Sequence, residues 1–171
     1  MALTQQFARI TPAYLERCRA SALDSVEAKP GWGPPAHDTL DADWALWGLK
    51  WYCRDRLGDT AADRLLDRVT SGDPGGDVEF LDHPEVYDGY DGPPRLLSPA
   101  AVSDISRALD EFALDDVLAT LPADPSAAAV ACGFDGFRGD VRAYLNRYFT
   151  VTSTFFRAAA QQGMCVLVWV D

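Results

Sequence analysis

Residues 164–170 form an uninterrupted apolar run, Met-Cys-Val-Leu-Val-Trp-Val, directly after Gly163. Glycine suits the C-terminal cap of a helix, so the run should leave a helix at once. Seven apolar residues are too few to span a membrane but have the content of a buried strand. Residues 3–10 alternate in part between apolar and polar side chains, and we predict that these two segments share one sheet.

Most of the remaining chain has helical patterning. Thr11 and Ser98 each precede a proline, which is typical of a helix N-cap followed by its first residue. Residues 40–57 and 135–162 carry apolar side chains at helical spacing, the second as one long helix or two abutting ones. We therefore predict an α+β fold in one domain over residues 1–171, mostly helical around a small sheet that includes the N- and C-terminal strands.

The charge balance narrows the classes of function. Fifteen Lys and Arg oppose 26 Asp and Glu, a net charge of −11, which argues against nucleic acid because phosphate binding needs clustered basic side chains. The four cysteines form no CxxC pair, which argues against a zinc ribbon or a thioredoxin-type site. No signal-like or membrane-spanning segment is visible, so we expect a cytoplasmic protein without disulfides and with no membrane partner.

Residues 71–94 differ from the rest of the chain. They contain seven Asp and Glu with no Lys or Arg, and they are rich in Gly and Pro. We predict a long acidic loop here, because structureless segments of this length in compact domains are either functional or disordered. Interleaved apolar side chains, among them Val78 and Leu81, favour a loop that packs on the body of the protein.

Two candidate binding residues, His83 and Glu85, lie in the acidic sequence Asp82-His83-Pro84-Glu85. The imidazole suits a base or a metal ligand with a carboxylate as its partner. A solvated acidic loop that happens to contain one histidine explains the same sequence, and we favour it because no second His or Cys stands nearby.

Tyr90 lies within Asp88-Gly89-Tyr90-Asp91-Gly92, where oxygen ligands for a cation and a tight glycine turn are both compatible with the sequence. The turn is favoured because the spacing of a calcium-binding loop is missing.

Arg95 is the first basic residue after the acidic run. Its guanidinium suits a carboxylate or phosphate ligand near the helix that starts at Ser98, or an ion pair with Asp88 or Asp91, and the ion pair is favoured. Three tryptophans at helical spacing, Trp44, Trp47 and Trp51, suit a ligand pocket but more often form core, and we expect core. We assign no catalytic residue, metal or cofactor.

Three stretches together resemble the YfbM-like family, also called domain of unknown function 1877. They are Arg9-Ile10-Thr11-Pro12 with Tyr14-Leu15, then Gly89 through Pro99 with its Gly-Pro-Pro-Arg-Leu-Leu-Ser-Pro core, and finally Tyr144, Tyr148-Phe149, Phe156, Ala158-Ala159, Gly163 and residues 166–170. The resemblance implies a single α+β domain and no established activity, substrate or cofactor. Family members often carry a histidine in the aromatic helix, whereas residues 44–50 contain none.

Our expectation about function depends on how the charged residues are distributed along the chain. Residues 36–95 contain six Lys and Arg against fourteen Asp and Glu, which accounts for most of the net charge. We expect a non-enzymatic binding domain of the bacterial cytoplasm that presents an acidic surface to a basic protein partner. The alternatives are a small-molecule-binding enzyme with a cleft near residues 82–95, and a structural subunit of a homo-oligomer.

Overall fold

The computed structural model describes residues 3–76, 78–87 and 90–171, with the side chains of Tyr90 and Asp91 left out. Within this part the chain forms one four-stranded sheet and seven α-helices. The strands are β1 Gln5–Ile10, β2 Thr39–Asp41, β3 Tyr90–Leu97 and β4 Cys165–Val170. The helices are α1 Pro12–Asp24, α2 Ala45–Tyr52, α3 Thr60–Ser71, α4 Pro99–Asp110, α5 Leu114–Ala119, α6 Pro125–Ala131 and α7 Val141–Gln161.

The two terminal strands are the central pair of the sheet. Its order is β2-β1-β4-β3, and all three pairings are antiparallel. Phe7 lies opposite Val168, and the backbone N–H of Thr4 donates to the carbonyl of Asp171 at 2.7 Å. The prediction of a small sheet built on the N- and C-terminal strands is confirmed, as is the α+β fold.

Local capping signals place the helix starts. The Thr11 hydroxyl accepts from the backbone N–H of Tyr14 at 3.1 Å and begins α1, and the Ser98 hydroxyl accepts from that of Ala101 at 3.2 Å and begins α4. Each satisfies an N–H that lacks a partner within the helix. At the other end of α7, Gly163 adopts a φ of 62° and turns the chain into β4.

The sheet separates two hydrophobic cores. Phe7, Val166 and Val168 face the larger core, which α2 to α7 build. Ala8 and Leu167 face the smaller core, which α1 and residues 78–87 cover. Both central strands are therefore buried on both faces, which explains the uninterrupted apolar sequence of β4.

Two segment boundaries differ from the sequence-based expectation. Residues 40–57 are not one helix, because the chain passes from β2 through Asp43, whose φ is 51°, before α2 begins, and α2 ends in a π-helical turn at Cys53–Leu57. The predicted acidic loop over 71–94 ends earlier than expected, because strand β3 starts at Tyr90 and continues through the double proline at 93–94.

Candidate functional site

Residues 78–87, which we call the acidic segment, are anchored to the sheet. Residues 79–81 form a single 3-10 turn, and four apolar side chains of the segment are buried in the smaller core: Val78, Leu81, Val86 and Tyr87. Burial of an aliphatic side chain contributes about 1.5–3 kcal/mol, enough to hold a short segment in place. The acidic side chains between them are therefore presented from a fixed backbone.

Two carboxylates of this segment also tie the chain together. Tyr87 donates its hydroxyl to Asp82 Oδ1 at 2.6 Å, and burial together with this carboxylate raises the pKa of Tyr87 to about 12. Glu85 Oε2 accepts from the backbone N–H of Gly31 at 3.2 Å and so links the segment to the loop after α1. Both acids combine a structural contact with an exposed position.

His83 contacts Glu85 through the backbone of Glu85. Nδ1 of the half-buried His83 accepts from the backbone N–H of Glu85 at 3.1 Å, an arrangement that closes a tight turn. Among the residues that the structure describes, no group of three or more His, Cys, Asp and Glu side chains is placed to hold a metal ion.

Arg95 lies in a different place from His83 and Glu85. It sits on β3 opposite Val168, and it lines a cleft of about 200 Å³ with Trp47, Ser71 and Trp169. Between the pairing of Tyr90 with Val170 and that of Arg95 with Val168, β3 contains a bulge, and the cleft lies beside it. Tyr90 reaches the same edge by its backbone position, and its side chain lies outside the description.

An apolar groove runs between the C-terminal half of α1 and the 3-10 turn of the acidic segment. We call it the α1 groove. It has a volume of about 530 Å³, and its lining comprises Arg19, Ala22, Leu23, Ala28, Val78, Glu79 and Phe80. Leu23 is 80% exposed and Val26, just beyond the helix, is fully exposed. An exposed leucine at an apolar groove is a candidate contact for a binding partner.

The α1 groove was not predicted from the sequence. The buried positions of α1 are Leu15, Cys18 and Ala22, and Leu23 is an apolar residue that falls off this stripe. An apolar residue outside the buried face of an amphipathic helix, with acidic neighbours Asp24 and Glu27, is the signal that was available.

A second groove lies over α2, and we call it the tryptophan groove. Its lining comprises Trp44, Trp47, Gly48 and Trp51 on one side and Cys132, Gly133 and Phe134 on the other, around a volume of about 390 Å³. Trp51 is 47% exposed, whereas Leu46, Leu49 and Tyr52 are the large buried side chains of this helix. The expectation that the three tryptophans form core is therefore wrong.

A further cavity of about 530 Å³ lies between the α4–α5 connection and α7. Its lining is more polar and includes Asp115, Asp116 and Asn146, with Asp110 and Arg157 paired at 2.5 Å. The bidentate contact between the last two residues crosses the cavity wall and joins α4 to α7.

The fold and these surfaces define an α+β domain with a thick helical layer on one face of its sheet and an anchored acidic segment on the other. Residues 52–169 match the family model described as Domain of unknown function (DUF1877). The chain belongs to this family, as its resemblance to the YfbM-like proteins predicted. No curated protein and no solved structure matches the chain. No helix in its described part has both the length and the apolarity to cross a membrane.

Proposed function

We propose that this chain is a non-enzymatic interaction domain of the bacterial cytoplasm that presents an acidic surface to a basic protein partner. The observation that carries the proposal is the α1 groove, because it joins exposed apolar side chains to the segment in which the acidic residues are concentrated. Apolar contact area and complementary charge are the two components of a specific protein interface.

The apolar component comes from Leu23 and Phe80 in the groove, and the exposed Val26 follows two residues beyond the end of α1. The Arg19 guanidinium lies 4.6 Å from the centre of the Phe80 ring and is held on its other side by Glu16 at 3.5 Å. This arrangement fixes the aromatic wall of the groove. A partner that covers the exposed leucine and valine gains roughly 1.5–3 kcal/mol for each side chain that it fully buries.

The charge component comes from an excess of carboxylates that internal ion pairs do not cancel. Of the six basic residues between positions 36 and 95, Lys50, Arg54 and Arg68 pair with Asp67, Asp55 and Asp73. The fourteen acidic residues of this region exceed the six basic ones by eight. A chain with this imbalance encounters a basic protein faster and repels other acidic ones.

The four cysteines support the cytoplasmic assignment. All four are buried free thiols, and burial raises their pKa above the ordinary thiol value. Protonated, buried thiols without disulfide partners are typical of proteins in reducing compartments.

Affinity capture from the host lysate at low and at high salt tests the proposal. We expect a basic protein that is retained at low salt and released at high salt, and whose affinity falls about tenfold in Leu23→Ala. Leu57→Ala, another exposed leucine, at the end of the π-helical turn after α2, is the matched control. For the charge component, Glu79→Gln should weaken retention while Glu111→Gln, an exposed acid at the end of α4, should not.

Two results would contradict the proposal. If the retained protein binds Leu23→Ala and Glu79→Gln as tightly as wild type, the α1 groove is not the interface. If no basic protein is retained at low salt, the proposed partner class is wrong.

A second candidate function is a small-molecule-binding enzyme that uses the cleft beside Arg95. The observation that favours it is the cleft itself, about 200 Å³ in volume, which Arg95 lines with Trp47 and Ser71 beside the bulge of β3. Native mass spectrometry of the purified protein should then show a bound ligand that is lost in Arg95→Ala. Equal ligand content in wild type, Arg95→Ala and His83→Ala would reject this candidate.

A further inference from the structure

The tryptophan groove is a concave surface built almost entirely from aromatic rings and glycine backbone. Trp44 and Trp47 meet edge to face with ring centres 5.9 Å apart, and Trp51 continues the row one turn later. Its volume of about 390 Å³ lies within the range of small-molecule sites, about 300–1,000 Å³. The Trp51 indole is nearly half exposed to water, and a flat ligand that covered it would gain hydrophobic stabilisation.

The groove is held in shape by contacts on both sides. Trp47 Nε1 donates to Oε1 of the buried Gln5 at 2.9 Å, which fixes the indole plane. Opposite it, the Phe134 ring packs onto the backbone of Gly48 so closely that a Cβ there would lie 2.1 Å from Cζ of the ring. Tyr144 supports Phe134 from behind, with ring centres 5.6 Å apart. Such pre-organisation lowers the entropic cost of binding.

Positive charges flank the tryptophan row. The Lys50 ammonium lies 4.8 Å from the centre of the Trp47 ring, and the Arg54 guanidinium lies 5.1 Å from that of Trp51. These two cations already occupy the sites where the ring quadrupoles attract positive charge. A cationic guest would meet like charges here.

Negative charges stand directly behind these cations. Asp67 pairs with Lys50, and Asp55 pairs with Arg54 at 2.9 Å, so the rim carries compensated pairs that give an anion little net attraction. The thiol of Cys132 in the wall is neutral at pH 7, since burial raises its pKa to about 11. The lining therefore selects by shape and apolarity, and its few polar atoms would leave the hydroxyls of a sugar unpaired.

We propose that the tryptophan groove binds the flat, uncharged aromatic ring of a small molecule. The ring lies in the open mouth of the groove on the exposed part of Trp51, with Trp44 and Phe134 at its edges. This site is separate from the α1 groove and does not depend on the proposed protein partner.

Nuclear magnetic resonance of the full chain with 15N-labelled tryptophan tests this site. Five indole N–H signals report on five tryptophans, of which Trp32 and Trp169 lie in the smaller core and serve as internal controls. The probes share the naphthalene ring system and differ in charge: 2-naphthamide, 2-naphthoate and protonated 2-naphthylmethylamine. We expect saturable shifts of the Trp44, Trp47 and Trp51 signals with 2-naphthamide, and weaker binding of both charged probes.

Substitution of the exposed indole completes the test. Trp51→Ala should weaken 2-naphthamide binding about five- to tenfold, the range expected for loss of one aromatic stacking partner, and Trp51→Phe should restore most of it. Val151→Ala, an exposed position on α7, is the control for unspecific effects. Because Trp51 is exposed, its variants should melt close to wild type, which circular dichroism checks.

Three results would overturn the proposal. They are equal shifts of the core tryptophan signals, equal affinity for the neutral and charged probes, and unchanged affinity in a folded Trp51→Ala. Absence of any shift at millimolar 2-naphthamide would overturn it as well.

Discussion

Replacement of Gln5 by leucine tests how the two terminal strands are joined to the helical layer. Gln5 is completely buried, and its side-chain amide makes two hydrogen bonds of 2.9 Å. Oε1 accepts from Trp47 Nε1 on α2, and Nε2 donates to the carbonyl of Trp169 on β4. Leucine has a similar volume and cannot replace either bond. The Trp47 indole N–H would lose its partner, whereas the Trp169 carbonyl would keep its ladder bond to Gln6 and lose only the bond from the side chain.

The expected loss follows from one orphaned indole N–H and one lost hydrogen bond to a carbonyl that keeps a second partner. An unsatisfied buried group costs about 1–3 kcal/mol, and the half-buried Trp47 N–H regains water at the lower end of that range. With some compensation from the apolar leucine, we expect Gln5→Leu to lower the free energy of unfolding by about 1–2 kcal/mol. For a chain of this length the melting temperature should fall by about 3–6 °C.

Urea unfolding followed by circular dichroism measures this loss, and the chain supplies its own control. Gln6 points to the other face of the sheet, where its amide donates to the Thr4 hydroxyl, and Gln6→Leu should change stability by less than about 0.5 kcal/mol. A Gln5→Leu loss as small as that of the control would refute the reasoning. In a double-mutant cycle, Trp47→Phe should couple to Gln5→Leu by about 1 kcal/mol.

Two further substitutions probe the sites described above. Tyr87→Phe removes the hydrogen bond to Asp82 and should cost about 1–2 kcal/mol at neutral pH. Because the pKa of Tyr87 is raised from 10 to about 12 in the folded state, the wild-type advantage should be complete below pH 10 and vanish as pH rises through 12; equal pH dependence of the two proteins between pH 10 and 12 would contradict this. Gly48→Ala should destabilise by about 1–2 kcal/mol, since displacement of the Phe134 ring outweighs the gain of about 1 kcal/mol in helix propensity, and thermal melting would expose the error if the variant were more stable.

Features that depend on neighbouring residues were predictable from the sequence. The two Thr-Pro and Ser-Pro caps begin α1 and α4 where expected, and Gly163 separates α7 from β4. The sequence also predicted that the N- and C-terminal strands share one sheet, whereas the strand order, with these two strands at its centre, was not predicted.

The orientation of α2 was not predictable, for a physical reason. Its eight residues are apolar almost all round, with Lys50 as the one charged residue, so periodicity shows that the tryptophans share a face without showing which face is covered. Packing against α3 and α7 buries Leu46 and Leu49 instead. The tryptophan groove therefore results from tertiary packing, which covers one apolar face of α2 and leaves the other partly exposed.

The candidate site was predictable only in part. His83 and Glu85 are joined because they belong to one turn, whereas Arg95 lies across the sheet edge in another cleft. The short separation in sequence between Glu85 and Arg95 did not show how far apart they lie in space, because a buried segment and a bulged strand come between them. The anchoring of residues 78–87 follows the interleaved apolar pattern, as predicted.

The central position of β1 and β4 has a consequence for how the chain acquires its fold. Gln5 and Trp169 are joined by a hydrogen bond across 164 positions of sequence, so the middle of the sheet is its least local contact. Loop closure over such a span is entropically costly, and chains dominated by it fold slowly. During synthesis β1 emerges first and must wait for β4, with Phe7 and Ala8 uncovered meanwhile. Amide hydrogens of β1 should therefore gain protection in the same late step as those of β4, after the helices that separate them have formed.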